Sequence, residues 1–440
     1  MKLTSFQIEV TGLVGAPLCG GLLPISNGIR DPQWARGIIL EENKIRTVFC
    51  AVDYCEIGGR FYREWKKLIA RAAKTNEDHV MLHSVHQHQA PFLRDDDYAE
   101  KIDSRRPFAY GFTFKERGWW KRVSRLMKKG IRDSLSRFEA VDKIGLGKTI
   151  IQKMASNRRI LDKKGKVRAT RWSICRDKKL QQEPEGLIDP ELQSVTFWDR
   201  KQKLLGALSF YATHPQSSIG LQMYSSEMVG EMHLILQKKY PGTPFVYFSG
   251  CQGQITLGKY STLNTEKNYR IFGSRLAQGI LKSIKSSSLQ KEQASDIRVK
   301  SLLIDFPYKL LGSLKNWKKK VIDPKVDSFE RYSLLAMRGA QINRKQLIQQ
   351  RIFLYKIGSA QILSLPGEPF IEYQLYGKKV AGKQFVAFAG LGDCTPGYIP
   401  TKKAYQEGGY EVCCAAAFCS SNIEVKMKNV IRELLKTKND

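Results

Sequence analysis

The chain has 440 residues, of which 42% are hydrophobic and 10% aromatic, so it can bury a large core and is not a disordered chain. Its 73 Lys and Arg outnumber its 42 Asp and Glu, and the formal net charge of +31 favours contact with polyanions, an anionic membrane surface or acidic substrates. The basic residues are spread over the whole length without a recognisable nucleic-acid module, so no specific nucleic-acid partner is expected.

The N-terminal residues, the hydropathy and the cysteines of the chain indicate its cellular compartment. Residues 1–10 lack the apolar core of a secretory signal, and no window approaches the about 20 apolar residues of a membrane helix. The nine cysteines are scattered, without a Cys-x-x-Cys pair, which suits a reducing compartment. We therefore expect a cytoplasmic protein, although a mature form whose signal had been removed would look the same. The oligomeric state is left open.

Strand and helix patterns alternate along the chain. Apolar alternation predicts a β-hairpin over 34–53 and an antiparallel pair over 351–365 that turns at Gly358. Helical periodicity predicts helices over 60–73, 119–138, 227–240, 268–285, 328–338 and 421–436. Segment 94–106 is predicted as a loop over the site, and 309–328 as an insertion or linker. The pattern indicates an α/β fold, with a mixed β-sheet core flanked by helices, in one catalytic domain over 1–440.

Four of the six histidines lie between residues 79 and 88. Residues 80–85 have the composition of a short buried strand, and residues two apart on a strand point to the same side. His86 and His88 should therefore face one side together, which is a metal-ligand arrangement. His79 and His83 are interpreted as structural histidines.

Several polar segments directly follow predicted strands. In α/β sheets ligands bind beyond the carboxyl ends of strands, so these segments should meet at one edge. The segments are His86 with His88, His214, residues 249–256, Glu368 and residues 390–398.

This set predicts a hydrolytic metal site. His86, His214 and Glu368 supply two imidazoles and a carboxylate, which is a ligand set for Zn²⁺ that activates water towards an amide or ester. His88 could move protons, and Arg158 or a tyrosine hydroxyl could meet the developing oxyanion. Taken singly, Glu368 is also typical of a turn, and Arg158 of a solvated surface charge.

With these residues assembled, the chain resembles the catalytic N-terminal domain of the neutral, non-lysosomal ceramidases. Residues 29–36 and Asp53 look like an early family segment, and 86–91 (His-Gln-His-Gln-Ala-Pro) is similar to the family's His-Thr-His-Ser-Gly-Pro. Asn157-Arg158 resembles the start of Asn-Arg-Ser-Pro, and residues 366–368 match Pro-Gly-Glu. His214 falls where the family has its next zinc histidine.

The resemblance also implies roles for two tyrosines. Tyr398 would complete the zinc sphere, and Tyr410 would hydrogen-bond the reacting carbonyl. The chain departs from the family at Gln254 and Thr256, which replace an acid and a serine, and at residues 412–414, where Val-Cys-Cys replaces Gly-Ala-Ser. The role of Thr256 is therefore open, and the pocket beside Tyr410 should differ.

The implied activity is zinc-dependent cleavage of an N-acyl amide such as ceramide. The substrate would be a lipid amide or another small amide or ester. The net charge of +31 is compatible with peripheral contact between the protein and an anionic membrane. Typical members add a C-terminal β-sandwich domain, which is not expected here. A non-catalytic basic scaffold on the same fold is the alternative from a different class, and a zinc peptidase is disfavoured because no His-Glu-x-x-His helix is present.

Overall fold

A computed structural model describes residues 1–93, 114–291, 297–307, 316–323, 325–326, 330, 334, 337–338, 349–413 and 416–436. Its helices within these ranges are α1 (Gly59–Ala73), α2 (Phe114–Ser134), α3 (Lys178–Gln182), α4 (Glu227–Lys239), α5 (Thr265–Lys285), α6 (Trp317–Ile322), α7 (Ile371–Ala381), α8 (Lys402–Glu407) and α9 (Ile423–Lys436). Short 3₁₀ turns lie at Leu18–Gly21, Glu77–His79 and Tyr410–Val412.

Most strands belong to three larger sheets. The first sheet has the order β5 (Val80–Ser84), β3 (Ile45–Val52), β2 (Trp34–Glu42), β1 (Lys2–Glu9), β7 (Glu139–Ala140). The second has the order β14 (Phe245–Ser249), β13 (Leu204–Tyr211), β12 (Glu191–Trp198), β8 (Lys143–Ile150), β16 (Ser288–Lys291). The third has the order β17 (Ile297–Asp305), β18 (Gln349–Ile357), β19 (Ala360–Ser364), β21 (Val386–Ala389).

Four short two-stranded pairs complete the described strands. They are β4 (Glu56–Ile57) with β6 (Phe92–Leu93), β9 (Ser156–Asn157) with β15 (Ile255–Thr256), β10 (Arg159–Leu161) with β11 (Val167–Thr170), and β20 (Glu368–Pro369) with β22 (Tyr398–Ile399). These pairs lie in the connections that follow the longer strands.

Each larger sheet is mostly antiparallel but contains one parallel pair. The parallel pairs are β3 with β5, β13 with β14, and β19 with β21. The two strands of a parallel pair end at the same edge of their sheet, so the chain segments that leave them start close together. The segments that carry His86, His88, His214, Glu368 and Tyr398 follow one of these six strands, whereas Arg158 follows β9 and Tyr410 follows α8.

The three sheets share one hydrophobic core. Phe49 of the first sheet meets Tyr355 of the third edge to face, with ring centroids 5.5 Å apart. In the second sheet Phe210 stacks on Phe248, whose ring also meets His83 of the first sheet at 5.2 Å. Such aromatic contacts between sheets hold their strand ends in a common position.

Helix α1 covers the outer face of the first sheet. Phe61, Trp65 and Ile69 recur at a spacing of four residues and are buried, which is the pattern of an amphipathic helix. Trp65 stacks on Trp120 of α2 with centroids 4.4 Å apart. The helix ends at Lys74, which adopts a left-handed conformation with φ +56°. The two helices and this sheet form a second core.

The α/β class with mixed sheets is confirmed, as are the hairpin over 34–53 and the antiparallel pair that turns at Gly358. The longer strands are distributed over three sheets, so the predicted site residues lie where the edges of these three sheets meet. The predicted loop 94–106 lies outside the described residues, as do half of the predicted insertion 309–328 and most of the predicted helix 328–338. No described helix is both long enough and apolar enough to cross a membrane.

The buried Lys66 in α1 makes a testable contribution to stability. Its side chain is 7% exposed, and its ammonium lies 3.8 Å from the centroid of the Phe353 ring. Burial lowers the pKa of Lys66 from 10.5 to about 8. The folded state therefore loses this proton before the unfolded state does, and stability should rise as the pH increases from about 8 to 10.5.

We predict that Lys66→Met raises the free energy of unfolding at neutral pH by about 1–3 kcal/mol, because it removes a buried charge. The same substitution should abolish the rise in stability above pH 8. Urea unfolding as a function of pH measures both effects. Lys67→Met, at the exposed neighbouring position, is the control and should keep the pH dependence. A less stable Lys66→Met protein with an unchanged pH profile would contradict the prediction.

Candidate active site

The loop that carries His86 and His88 begins immediately after β5. His86 has a φ of +75°, a left-handed conformation that is rare outside glycine, and its N–H donates to the carbonyl of Tyr54 at 2.8 Å. The expected strand alternation is therefore wrong as the reason why the two histidines meet, since both lie beyond the strand. The turn at His86 places the two ring centroids 5.0 Å apart.

Three buried side chains from different sheet edges converge next to this loop. His86 Nε2 lies 3.3 Å from Glu368 Oε2, and His214 Nε2 lies 3.1 Å from the same oxygen. His214 follows β13, and Glu368 opens β20 just beyond β19. One ligand atom from each residue lies within 4.8 Å of those of the other two. The predicted His₂Glu group is thus assembled in the fold.

A glycine makes the position of Glu368 possible. Gly367 has a φ of +59°, and a Cβ at this position would come within 2.4 Å of the carbonyl oxygen of Gly397. Only glycine fits both constraints without displacing backbone. The turn directs Glu368 into the site, and its N–H donates to the carbonyl of Gly397 at 2.8 Å.

The hydrogen bonds of the two imidazoles determine which nitrogens face the carboxylate. His86 Nδ1 donates to the carbonyl of Cys55 at 2.7 Å, and His214 Nδ1 donates to the carbonyl of Ile255 at 2.9 Å. In the neutral rings this leaves both Nε2 atoms with a lone pair directed at Glu368. Two lone pairs that face a buried carboxylate are unfavourable unless one ring is protonated or a metal cation lies between them. The donor set therefore fits a metal ion, with backbone carbonyls as outer partners of the ligands.

The pKa values of the three groups agree with that charge requirement. Burial opposes the charged form of Glu368, but His86 outweighs it and holds the pKa of Glu368 well below its usual value. Burial likewise opposes protonation of His86, and the Glu368 carboxylate outweighs it and raises the pKa of His86. Burial lowers the pKa of His214 to about 4, so this ring is neutral. The site thus favours an ionised carboxylate next to a positive charge.

His88 lies beside the His₂Glu group as a neutral base. Its Nε2 is 3.4 Å from His86 Nε2 and accepts a hydrogen bond from the Gln216 side-chain amide at 2.6 Å. Ser173 donates its hydroxyl to the Gln216 carbonyl oxygen, which orients the amide. Burial lowers the pKa of His88 well below its usual value, so the ring is neutral at pH 7 and has one nitrogen that can accept a proton.

Arg158 lies close to the faces of two tyrosine rings. Its guanidinium carbon is 5.3 Å from the Tyr398 ring centroid and 4.8 Å from that of Tyr410. Its Nε donates to Glu411 at 2.9 Å, and a terminal nitrogen donates to the carbonyl of Gly253 at 2.6 Å. The two tyrosine hydroxyls are 3.4 Å apart. Arg158 is buried and paired, so the alternative of a solvated surface charge is wrong.

These groups open onto one cavity of about 350 Å³. Of the predicted site residues, the cavity is lined by His86, His88, Arg158, Glu368, Tyr398 and Tyr410. His214 is fully buried behind this lining. Apolar lining comes from Leu22, Leu23, Phe92, Trp172, Ile174 and Ile219. A small polar centre inside an apolar cavity is the usual form of a site for a small organic molecule.

The architecture matches that of a neutral ceramidase from Pseudomonas aeruginosa with a TM-score of 0.71, over 99% of this chain and 74% of that one. This chain has the ceramidase fold. A ceramidase complexed with C2 matches with a TM-score of 0.70 and the same coverage. Sequence identities are 15% and 14%, and no family model or curated protein matches by sequence. The likeness is therefore one of three-dimensional structure.

Within this ceramidase fold the remaining predicted residues make structural contacts. His83 Nδ1 donates to the carbonyl of Gly390 at 2.7 Å, and its Nε2 accepts from the N–H of Ser249 at 3.0 Å, so His83 ties together strand ends of all three sheets. His79 Nδ1 lies 2.8 Å from the Thr47 hydroxyl. Thr256 donates its hydroxyl to the carbonyl of Arg171 at 3.1 Å, which satisfies it away from the cavity.

Sequence reasoning missed a buried acid that holds the histidine loop. One carboxylate oxygen of Glu227 accepts from the N–H groups of His88 at 2.7 Å and Gln89 at 3.2 Å, and the other accepts from the N–H of Ser218 at 2.8 Å. Glu227 therefore ties the loop of His88 to the loop after His214. It resembles an ordinary first-turn helix glutamate in sequence, so no local signal identifies it.

Asp53 plays a similar part on the other side of the loop. Its carboxylate accepts from Arg36 at 2.8 Å, from the Gln87 amide at 3.0 Å and from the Ser226 hydroxyl at 2.9 Å. The sequence signal was its place directly after a strand, within a segment that resembles the ceramidases. Asp53 and Glu227 together hold the backbone from which both His86 and His88 extend.

We predict that Glu227→Gln lowers the free energy of unfolding by about 1–3 kcal/mol, because the amide nitrogen cannot accept from a backbone N–H and leaves that donor unpaired. Because the two loops that it joins carry the candidate metal ligands His86 and His214, the affinity of the site for a metal ion should fall about 10–100-fold. Urea unfolding and metal titration measure these effects. Glu231→Gln, on the same helix and partly exposed, should change stability by less than about 0.5 kcal/mol. Equal behaviour of the two variants would refute this role for Glu227.

Proposed function

We propose that this chain is a zinc-dependent amidohydrolase that cleaves the amide bond of an N-acyl, ceramide-like lipid. The observation that carries the proposal is the buried group of His86, His214 and Glu368, placed beside the neutral His88 in an apolar cavity. The ceramidase fold of the chain supports the choice of an amide substrate. The whole of 1–440 is proposed to act as one catalytic domain.

Zinc would be held by His86, His214 and Glu368, with the Tyr398 hydroxyl as a further ligand. Two histidines and a glutamate are a typical set of three protein ligands for catalytic zinc, which keeps a further position open, and Tyr398 would be an additional donor. Tyr398 is in register with Glu368 in the short parallel pair β20–β22, so its side chain starts from the same end of the site. When bound, zinc supplies Lewis acidity that polarises a carbonyl and lowers the pKa of water.

His88 is proposed to carry the proton. Its neutral ring can accept a proton from the attacking water and then donate it to the leaving amine. The Gln216 amide donates to His88 Nε2, so the attacking water would replace this amide as the donor to that nitrogen, and the Glu227 contact holds the backbone of His88. This support keeps the ring in one orientation next to the ligand group, which is what proton transfer requires.

Arg158 and Tyr410 are proposed to stabilise the negative charge that develops on the carbonyl oxygen. The Tyr410 hydroxyl can donate a hydrogen bond into the cavity, and the guanidinium next to its ring adds a fixed positive charge. Glu411 orients Arg158 through an ion pair of 2.9 Å. The charge of Arg158 needs no rearrangement when the negative charge appears, because the guanidinium is already buried and held by Glu411 and the carbonyl of Gly253.

The lining of the cavity supports a substrate with an apolar chain. Trp172, Ile174 and Ile219 are among its apolar residues, and Trp172 is 55% exposed, so the apolar surface continues to the outside. Such a surface can bind an acyl chain while the amide reaches the histidines. The net charge of +31 would favour approach to an anionic lipid surface.

We predict that His86→Ala and His214→Ala each abolish the zinc of the site and lower kcat/KM by at least about 1,000-fold, because several kcal/mol of transition-state stabilisation depend on the ion. Elemental analysis gives the zinc content, and fluorogenic short-chain ceramides, other N-acyl amides and short esters give the activity. His79→Ala is the control and should retain both, because that ring contacts Thr47.

Full zinc content and activity in both histidine variants would refute the zinc site. Hydrolysis of esters but not of N-acyl amides would keep the metal site and refute the amide substrate. The two parts of the proposal are thereby tested separately.

We predict that Tyr410→Phe lowers kcat by about 100-fold with unchanged zinc content, because it removes one hydrogen-bond donor to the oxyanion. The measurement is steady-state kinetics together with elemental analysis. Tyr376→Phe, which removes a hydroxyl from helix α7, should leave both values unchanged. A rise in KM with unchanged kcat would instead assign Tyr410 to substrate binding.

A further inference from the structure

Two buried cysteines lie next to each other in the lining of the same cavity. The Sγ atoms of Cys19 and Cys55 are 3.1 Å apart, and each residue is only 1% exposed. Both side chains line the cavity together with His88. The mechanism proposed above uses neither thiol.

The two cysteines and His88 form a second group of potential metal ligands. One ligand atom from each of the three residues lies within 4.8 Å of those of the other two. We propose that Cys19, Cys55 and His88 form a second metal site, for a thiophilic divalent ion such as Zn²⁺ or Cd²⁺. This site is chemically different from the first, because thiolates select softer metal ions than carboxylates do.

The backbone holds the three residues in place independently of any ion. The N–H of Cys19 donates to the carbonyl of Ala90 at 3.0 Å, and the N–H of Cys55 donates to the carbonyl of Pro91 at 2.8 Å. Both cysteines are therefore tied to the loop that carries His88. Cys19 adopts a left-handed conformation with φ +48°, an uncommon backbone state for a residue other than glycine. A cluster held in this way needs little rearrangement to bind a metal ion.

The spacing of the sulfurs is closer to that of a metal site than to that of a disulfide. Two thiolates on one tetrahedral zinc lie about 3.8 Å apart, since each Zn–S bond is about 2.3 Å. A disulfide requires about 2.05 Å. The observed Sγ–Sγ distance of 3.1 Å is closer to the spacing of two thiolates on zinc than to the length of a disulfide bond. On metal binding each thiol would release its proton to solvent, and the two thiolates would balance the charge of a divalent ion.

The surroundings also suit a thiolate site. Cys19, Cys55 and Ala90 form an apolar cluster against which Leu22, Leu23 and Phe92 pack. An apolar shell strengthens the attraction between a metal cation and its thiolates, because it excludes water. The cavity leaves room for a solvent molecule as a further ligand.

Occupation of this second site has a consequence that rests on the proposed function. A ring nitrogen of His88 that is bound to a metal cannot accept a proton. A thiophilic ion at Cys19, Cys55 and His88 would therefore inhibit hydrolysis, although the first metal site remained filled. The existence of the second site does not depend on that activity.

Co²⁺ provides a direct test, because thiolate ligation produces a charge-transfer absorption in the near ultraviolet that histidine and carboxylate ligation do not. The full chain is reduced, freed of metal with a chelator and titrated anaerobically with Co²⁺. We expect two bound equivalents, one of which generates the charge-transfer band. His214→Ala should lose the equivalent without the band and keep the other.

The double variant Cys19→Ser with Cys55→Ser should lose the charge-transfer band and the Co²⁺ ion that produces it. It should keep the Co²⁺ ion bound at the first site, which produces no such band. Cys175→Ser, which replaces another buried cysteine close to the cavity residue Ile174, is the matched control and should keep both. Retention of one Co²⁺ equivalent shows that the double variant is folded, and the wild-type titration alone decides whether a thiolate-bound equivalent exists.

Absence of the charge-transfer band in the reduced wild-type chain would overturn the second site, whatever the activity of the enzyme. A band that persists in the double cysteine variant would overturn the assignment to Cys19 and Cys55. A disulfide between these cysteines that persists in the presence of reductant, detected by thiol counting, would also overturn it. If His214→Ala loses only the Co²⁺ ion that gives no charge-transfer band, the second site is supported and the result concerns only the first site.

Discussion

One oxygen atom of Glu368 faces the Nε2 atoms of two buried imidazoles, and the arrangement of the site depends on this contact. The opposite nitrogens of His86 and His214 donate to backbone carbonyls, so neither neutral ring can turn its N–H towards the carboxylate without losing a buried hydrogen bond. A positive charge between the three groups resolves this conflict. The carbonyls of Cys55 and Ile255 keep both rings in this orientation, which is why the group is suited to a cation.

The fold supports this contact through strand direction and buried acids. Each of the three large sheets contains one parallel pair, and the loops that leave those pairs meet at the cavity. Asp53 and Glu227 then bind the loops through hydrogen bonds to amides, hydroxyls and Arg36. The ligands are thus held by backbone that is itself fixed on both sides, and this limits the reorganisation needed for chemistry.

The histidine loop faces two different chemical environments. On one side are the imidazoles and the carboxylate of the proposed zinc site, and on the other are the thiols of Cys19 and Cys55. His88 is close to both, which makes it a shared element of the two proposed sites. In the proposed mechanism, catalysis and occupation of the proposed thiol site would compete for the same ring, so a thiophilic metal would inhibit the proposed activity.

The α/β class, most of the described helices and the types of ligand follow from the sequence, because periodicity and residue type are local properties. Motif resemblance added the proposed roles of Tyr398 and Tyr410, which spacing alone could not assign. Tertiary structure decided that His86 turns into the site through a left-handed backbone, and that Glu227 and Cys19 belong to its surroundings. These features depend on strand pairing and loop contacts between distant parts of the chain, and local sequence patterns carry no information about such contacts.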